Sequence, residues 1–184
     1  LDIPLYLLKM EINSSFLKNK SVLITGITGF AGSWLAETIV NSQPDCNVYG
    51  IKRSTSSTVN ISHILNRLKI LEGDILDAES IGNALEISNP DIIFHLAAQT
   101  SVKKGIEFSL ETFNINTIGT LNLLESIRTH DGVKAIHFAS SGNVYGRVRK
   151  NEIPVKETTT IRPTEVYSAS KAAGEILCNS YLQK

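Results

Sequence analysis

A chain of 184 residues can bury one sizeable core, and a single domain is expected. Eighteen Lys and Arg balance eighteen Asp and Glu, so no basic block points to nucleic acid and no acidic tail to a charged partner. Two cysteines, Cys46 and Cys178, are too few for a disulfide scaffold and suit a reducing, cytoplasmic setting; the histidines lack metal-ligand spacing, and no apolar run is long enough to cross a membrane.

Residues 1–8 are apolar but have no basic n-region and no small-residue cleavage site, so a signal peptide is not expected. Residues 1–18 are read as a peripheral extension, with Met10 a possible natural start, and residues 19–184 as the folded domain. Residues 21–24 form a short β-rich run that ends in Thr25-Gly26. A helical pattern follows, with Trp34, Leu35, Ile39 and Val40 at helical spacing. Residues 47–51 give a second strand, 53–60 a polar stretch and 68–71 a third strand closed by Gly73-Asp74. Residues 78–87 fit a helix that Pro90 stops. Residues 91–96 are a continuous apolar run, as in a strand buried on both faces. A long helix is expected over 111–129, with Ile115, Ile118, Leu121, Leu124 and Ile127 on one stripe. A fifth strand over 133–139, a loop over 142–164 and a last helix over 167–182 complete the chain.

Strands alternating with helices predict right-handed βαβ units, a doubly wound parallel α/β sheet of the Rossmann type. Ligands of such sheets sit at the carboxyl ends of the strands, and the motifs fall there. In Gly26-Ile27-Thr28-Gly29-Phe30-Ala31-Gly32, glycine allows a tight turn, close approach to a pyrophosphate and helix–strand packing, and the helix N-terminus adds partial positive charge. After the second strand stand Lys52-Arg53-Ser54, with no carboxylate for a ribose 2′-hydroxyl. A cation there suits the 2′-phosphate of NADP, with NAD the alternative; a solvated basic pair is the plain alternative. Asp74 and Ile75 could hold and cover an adenine, although Asp74 could simply cap a turn. Leu96, Ala97 and Ala98 would let a ribose approach the backbone, and His95 before them reads as a core or supporting histidine rather than a base. Tyr167 and Lys171 lie at i and i+4, on one helix face, after a serine-rich strand end at Ser140-Ser141. A free phenol ionises near pH 10. A neighbouring ammonium favours the phenolate, so Tyr167 could exchange a proton with a sugar oxygen while Ser141 donates to it.

Taken together, Thr25-Gly26-x-x-Gly29-x-x-Gly32, Gly73-Asp74, His95-Leu96-Ala97-Ala98-Gln99, Asn116-x-x-Gly119-Thr120, Ser140-Ser141, Val144-Tyr145-Gly146, Arg162-Pro163 and Tyr167-x-x-x-Lys171 resemble the extended short-chain dehydrogenase/reductases that modify nucleotide sugars. The resemblance runs from about Lys20 to Lys184. It implies Ser141, Tyr167 and Lys171 as catalytic residues, with the last two also on the cofactor, Asn116 as a structural residue near the catalytic helix, and a homodimer through a four-helix interface. Residues 50–57 resemble the branch of GDP-mannose 4,6-dehydratases and GDP-4-keto-6-deoxymannose reductases, where NADP is often used. Two departures stand out. The dehydratases carry a Glu two residues before the Tyr-Gly tyrosine, where this chain has Asn143. Family members also run further, so a C-terminal substrate domain is expected to be missing and the Rossmann domain cut off at its catalytic helix. The expected function is an NADP(H)-dependent reductase of a nucleotide-linked 4-keto-6-deoxy sugar. A 4-epimerase or 4,6-dehydratase is the alternative; a non-catalytic cofactor-binding regulator or an inactive truncated fragment is the alternative of another class.

Overall fold

The computed structural model describes residues 16–182. The peripheral segment expected over 1–18 thus lies almost wholly outside the described residues. Its end does not: Leu17 is 5% exposed and packs in the core, so the fold begins before Asn19.

Among the described residues five parallel strands form one sheet, in the order β3-β2-β1-β4-β5. They are β1 (Ser21–Thr25), β2 (Asn47–Lys52), β3 (Lys69–Glu72), β4 (Ile92–His95) and β5 (Ala135–Phe138). β1 is central, with Ile24 opposite Gly50 on one side and Phe94 on the other. Successive side chains of a strand face opposite ways. Val22 and Ile24 therefore enter one core, with Ile27, Ile39, Val48 and Ile61, while Leu23 enters the other, with Ile81, Leu85, Ile93 and Leu123. Helix α1 (Phe30–Ser42) covers the first face; α2 (Ala78–Ser88) and α5 (Gly119–Arg128) cover the second. The local signals explain the helix ends. Asp77 Oδ1 accepts from the amides of Glu79 and Ser80 at 3.1 and 3.4 Å, and α2 closes on Asn89 in the left-handed region at φ 37°.

The expected order of strands and main helices holds, and the differences have physical causes. The polar stretch after β2 leads into a 3-10 helix, Val59–Arg67, that buries only Ile61 and Ile64; two apolar anchors give too little periodicity to reveal a helix. Trp34, at helical spacing in α1 with Leu35, Ile39 and Val40, is 60% exposed, because Gly32, Ser33 and Ala36 take the positions against the sheet. The long helix over 111–129 is divided. A short α3 (Val102–Glu107) precedes α4 (Ser109–Phe113), a π-helical turn follows at Asn114–Ile118, and α5 then runs on. The turn rotates the expected stripe: Leu124 is buried, but Ile118 is 40% exposed. The loop after β5 contains two short 3-10 turns, Gly142–Tyr145 and Lys150–Glu152, before α6 (Val166–Leu182).

Candidate functional site

A cleft of about 770 Å³ opens along the carboxyl ends of β1, β2, β3 and β4. The order of the strands reverses between β1 and β4, and that is where a parallel open sheet leaves a crevice. Gly26, Thr28, Gly29, Phe30, Ala31 and Gly32 form its first wall. Gly26 sits at φ +70°, and a Cβ there would stand 2.8 Å from the backbone nitrogen of Ala97. This position therefore requires glycine twice, for conformation and for the approach of two loops. Gly29 is the N-cap of α1 and supplies no side-chain cap, and the first turn of α1 has no acidic residue. Amides at that end remain available for an anion.

Arg53, Asp74, Ile75, Leu96, Ala97 and Ala98 line the remaining walls, as the motifs suggested. Ser54 does not: it is exposed and outside the lining, and Ser56 takes its place. Asp74 Oδ1 accepts from Leu76 N at 2.9 Å, so its carboxylate also caps the turn after β3. Gln99, Ser101, Lys104 and Glu111 line the far end and were not predicted as site residues. Ser101 accepts from Lys104 N at 3.2 Å and starts α3 as its N-cap, a signal for the helix rather than for the cleft.

Ser141, Tyr167 and Lys171 are not among the cleft-lining residues. Tyr167 is buried in the first turn of α6, beside Gly105 of α3; a Cβ on Gly105 would stand 3.2 Å from Tyr167 Cβ. Glu165 starts this helix by accepting from the amides of Tyr167 and Ser168 at 2.7 and 2.9 Å. One turn further on, Lys171 is 4% exposed, and its ammonium stands 4.3 Å from the ring centroid of Phe138 at the end of β5. Burial pulls the Lys171 pKa down to about 8. Ser141 starts the next turn of chain, its Oγ accepting from Asn143 N at 3.2 Å, and that turn packs against α6. Asn143 is exposed, two residues before Tyr145.

Asn116 joins the two regions. Its Oδ1 accepts from Gln99 N at 2.8 Å, and its Nδ2 donates to Gln99 O at 3.0 Å and to Ser170 Oγ at 2.9 Å. The π-helical turn faces this amide inward, where Asn116 is 1% exposed. His95 is buried, and burial together with the nearby Lys171 charge holds its pKa down at about 3. It is therefore neutral at ordinary pH, which accords with a supporting role. Among the described residues no group of His, Cys, Asp and Glu could hold a metal ion.

The GDP-mannose 4,6 dehydratase family model matches residues 23–184 of this chain. The chain belongs to that family. It is 36% identical over 169 residues to the GDP-mannose 4,6 dehydratase of Drosophila melanogaster, which covers 85% of this chain and 42% of the fly protein. It is 33% identical over 162 residues to the UDP-glucose 4-epimerase of Mycolicibacterium smegmatis, covering 86% of this chain and 50% of that protein. Among solved structures, the UDP-glucose 4-epimerase of Thermus thermophilus in complex with NAD superposes with a TM-score of 0.78 at 32% identity, over 88% of this chain and 50% of that one. The Thermotoga maritima UDP-glucose 4-epimerase with UDP-glucose gives 0.79 at 28% identity, over 89% and 51%. The chain thus spans about half the length of the curated relatives it matches. Its Rossmann-like fold is the one those structures share.

Proposed function

We propose that the protein is an NADP(H)-dependent oxidoreductase that reduces a nucleotide-linked 4-keto-6-deoxy sugar. The observation that carries this reading is the pairing of a glycine-walled crevice with a buried Tyr167–Lys171 helix, joined through Asn116. A dinucleotide fits the residues present. Its pyrophosphate would lie on the free amides at the start of α1, its adenosine between Asp74 and Ile75, and a 2′-phosphate near Arg53. When bound, the cofactor supplies or accepts a hydride. Tyr167 would give its proton to the sugar carbonyl oxygen as the carbon takes the hydride, leaving a C4 hydroxyl and a phenolate. The Lys171 ammonium would stabilise that phenolate, and its lowered pKa leaves it ready to pass on a proton. Ser141 would donate to the same oxygen.

Asn143 favours reduction over dehydration, because an amide cannot remove the C5 proton as a carboxylate would. The similarity to UDP-glucose 4-epimerases supports a second reading, 4-epimerisation, which needs the same three residues. The test is NADPH oxidation by the protein at the full length of its relatives with GDP-4-keto-6-deoxymannose, and product analysis with GDP-mannose and UDP-glucose. Reduction of the keto sugar is expected, with Tyr167→Phe at least about 100-fold slower. Steady dehydration of GDP-mannose would overturn the reading, and inversion of UDP-glucose at C4 would establish the second one.

The free thiols of Cys46 and Cys178 suit a cytoplasmic enzyme. Ile118 in the turn before α5 and Ile176 on α6, 40% and 62% exposed, would be covered in a helical dimer interface.

A further inference from the structure

His95 is the only buried imidazole among the described residues, and the proposed reaction does not use it. It stands between two threonines from different elements, and counting donors fixes every proton. Thr25 Oγ1 accepts from the amide of Ala97 at 3.1 Å and from that of Leu96 at 3.2 Å, the latter shared with Thr25 O at 3.3 Å. Both lone pairs are then used, so the hydroxyl proton goes to His95 Nδ1, 2.7 Å away. With Nδ1 bare, the neutral ring carries its proton on Nε2 and donates to Thr120 Oγ1 at 3.1 Å. Thr120 passes its own proton to the carbonyl of Asn116 at 2.7 Å. The side chain of Asn116 holds Gln99 and donates to Ser170 Oγ, and Ser170 in turn donates to Tyr167 O at 2.7 Å.

The chain has one direction. A protonated ring, or the other tautomer, would aim a second hydrogen at the Thr25 oxygen, which has no lone pair left. Burial keeps the ring neutral, and the Lys171 ammonium on α6 adds to that. At one end the chain fixes Leu96 and Ala97, the backbone that a Cβ on Gly26 would strike. At the other it fixes the π-helical turn that holds α6.

We propose that His95 is a positioning residue: through this one-way hydrogen-bond chain it sets the spacing between the floor of the cleft and the helix carrying Tyr167 and Lys171. Its functional part rests on reading that cleft as the cofactor site. Disconnection should be specific to each end. His95→Asn places an oxygen where Nδ1 accepts and keeps the Thr25 end. His95→Gln places an amide N–H where Nε2 donates and keeps the Thr120 end. His95→Phe keeps only bulk.

Nitrogen NMR of the histidine-labelled protein should show His95 as the neutral Nε2–H tautomer, unchanged between about pH 5 and pH 8. The Nδ1–H tautomer, or titration near the ordinary histidine value of about 6.5, would overturn the proposal. Amide exchange supplies the readout that packing alone would not move. His95→Asn should speed Gln99 exchange about tenfold and leave Ala97 within about threefold, and His95→Gln should do the reverse. Equal acceleration of both amides in the two variants would overturn the proposal, and neither variant requires His95→Phe to fold. In dinucleotide titrations, His95→Gln should raise the Kd about tenfold and His95→Asn should stay near wild type. Failure of the wild-type protein to bind any dinucleotide would sink the functional reading instead, while the exchange pattern still decides the relay.

Discussion

Arg53 follows β2 at the edge of the cleft, and the chain has no Asp or Glu from Asn47 to Leu71. A ribose 2′-hydroxyl would find no carboxylate there, whereas a 2′-phosphate would find a guanidinium. Arg53→Ala should therefore weaken NADPH binding about tenfold or more and leave NADH nearly unchanged, as measured by calorimetric titration of both cofactors. Equal affinity of the wild-type protein for the two would remove the NADP assignment. The residues that line the cleft were legible where backbone demands force a residue type, as at Gly26, or where a motif sits at a strand end, as at Ala97 and Ala98. Lys104 and Glu111 were not, because nothing in their own type marks them; they reach the cleft only because α3 and α4 fold back beside it.

Within the π-helical turn, Asn116 satisfies both backbone groups of Gln99 and the Ser170 hydroxyl. Asn116→Leu keeps similar volume and removes these partners in a site that is 1% exposed. Leaving buried polar groups unpaired costs about 1–3 kcal/mol each. The variant should lose at least about 2 kcal/mol of stability in urea unfolding, and Tyr167→Phe, with its hydroxyl gone, should lose less. A loss below 0.5 kcal/mol, on the order of an ordinary surface change, would show that water replaces the amide. The same turn interrupts the helix that periodicity predicts over 111–129. The buried face of this segment includes Thr112, Asn116, Thr117 and Thr120, polar groups paired mostly with Gln99 and Ser170, beside Leu123 and Leu124. Hydrophobic periodicity is blind to such a face, and the apolar positions left over still repeat at helical spacing. The central strands β1 and β4, by contrast, were legible because burial on both faces demands unbroken apolar runs.

For the whole molecule, self-association through exposed Ile118 before α5 and Ile176 on α6 is expected; light scattering at tens of micromolar should show a dimer, and Ile176→Lys should shift it to monomer. Three of the groups that make stability depend on pH act with different signs. Asp91 accepts from Ser21 N and Lys20 and pairs with Lys134, so it ties together the amino ends of β1, β4 and β5. The Lys134 hydrogen bond, then that of Ser21, lowers its pKa to about 2. Its contribution is present above the ordinary carboxylate range and is lost as pH falls through about 2. Lys171 has the opposite relation to its surroundings. Burial lowers its pKa to about 8 from 10.5, so between those values the unfolded chain holds the proton that the folded chain has released. Unfolding then becomes harder as pH rises, by up to about 1.4 kcal/mol per unit for one proton. Cys46 works against this: burial raises its pKa to about 11 from 9.0, and stability falls as pH climbs through that interval. A single melting curve would mix the two. The difference between wild type and Lys171→Met cancels Cys46, which is common to both, and reads Lys171 together with its coupling to Cys178. At pH 7 the Met variant should be the more stable of the pair, because it buries no charge. The gap should close steadily from about pH 8 to pH 10 as wild type sheds its buried proton. A gap that does not change with pH, measured by urea unfolding in matched buffers, would mean that Lys171 keeps an ordinary pKa in the folded protein and is solvated or paired there.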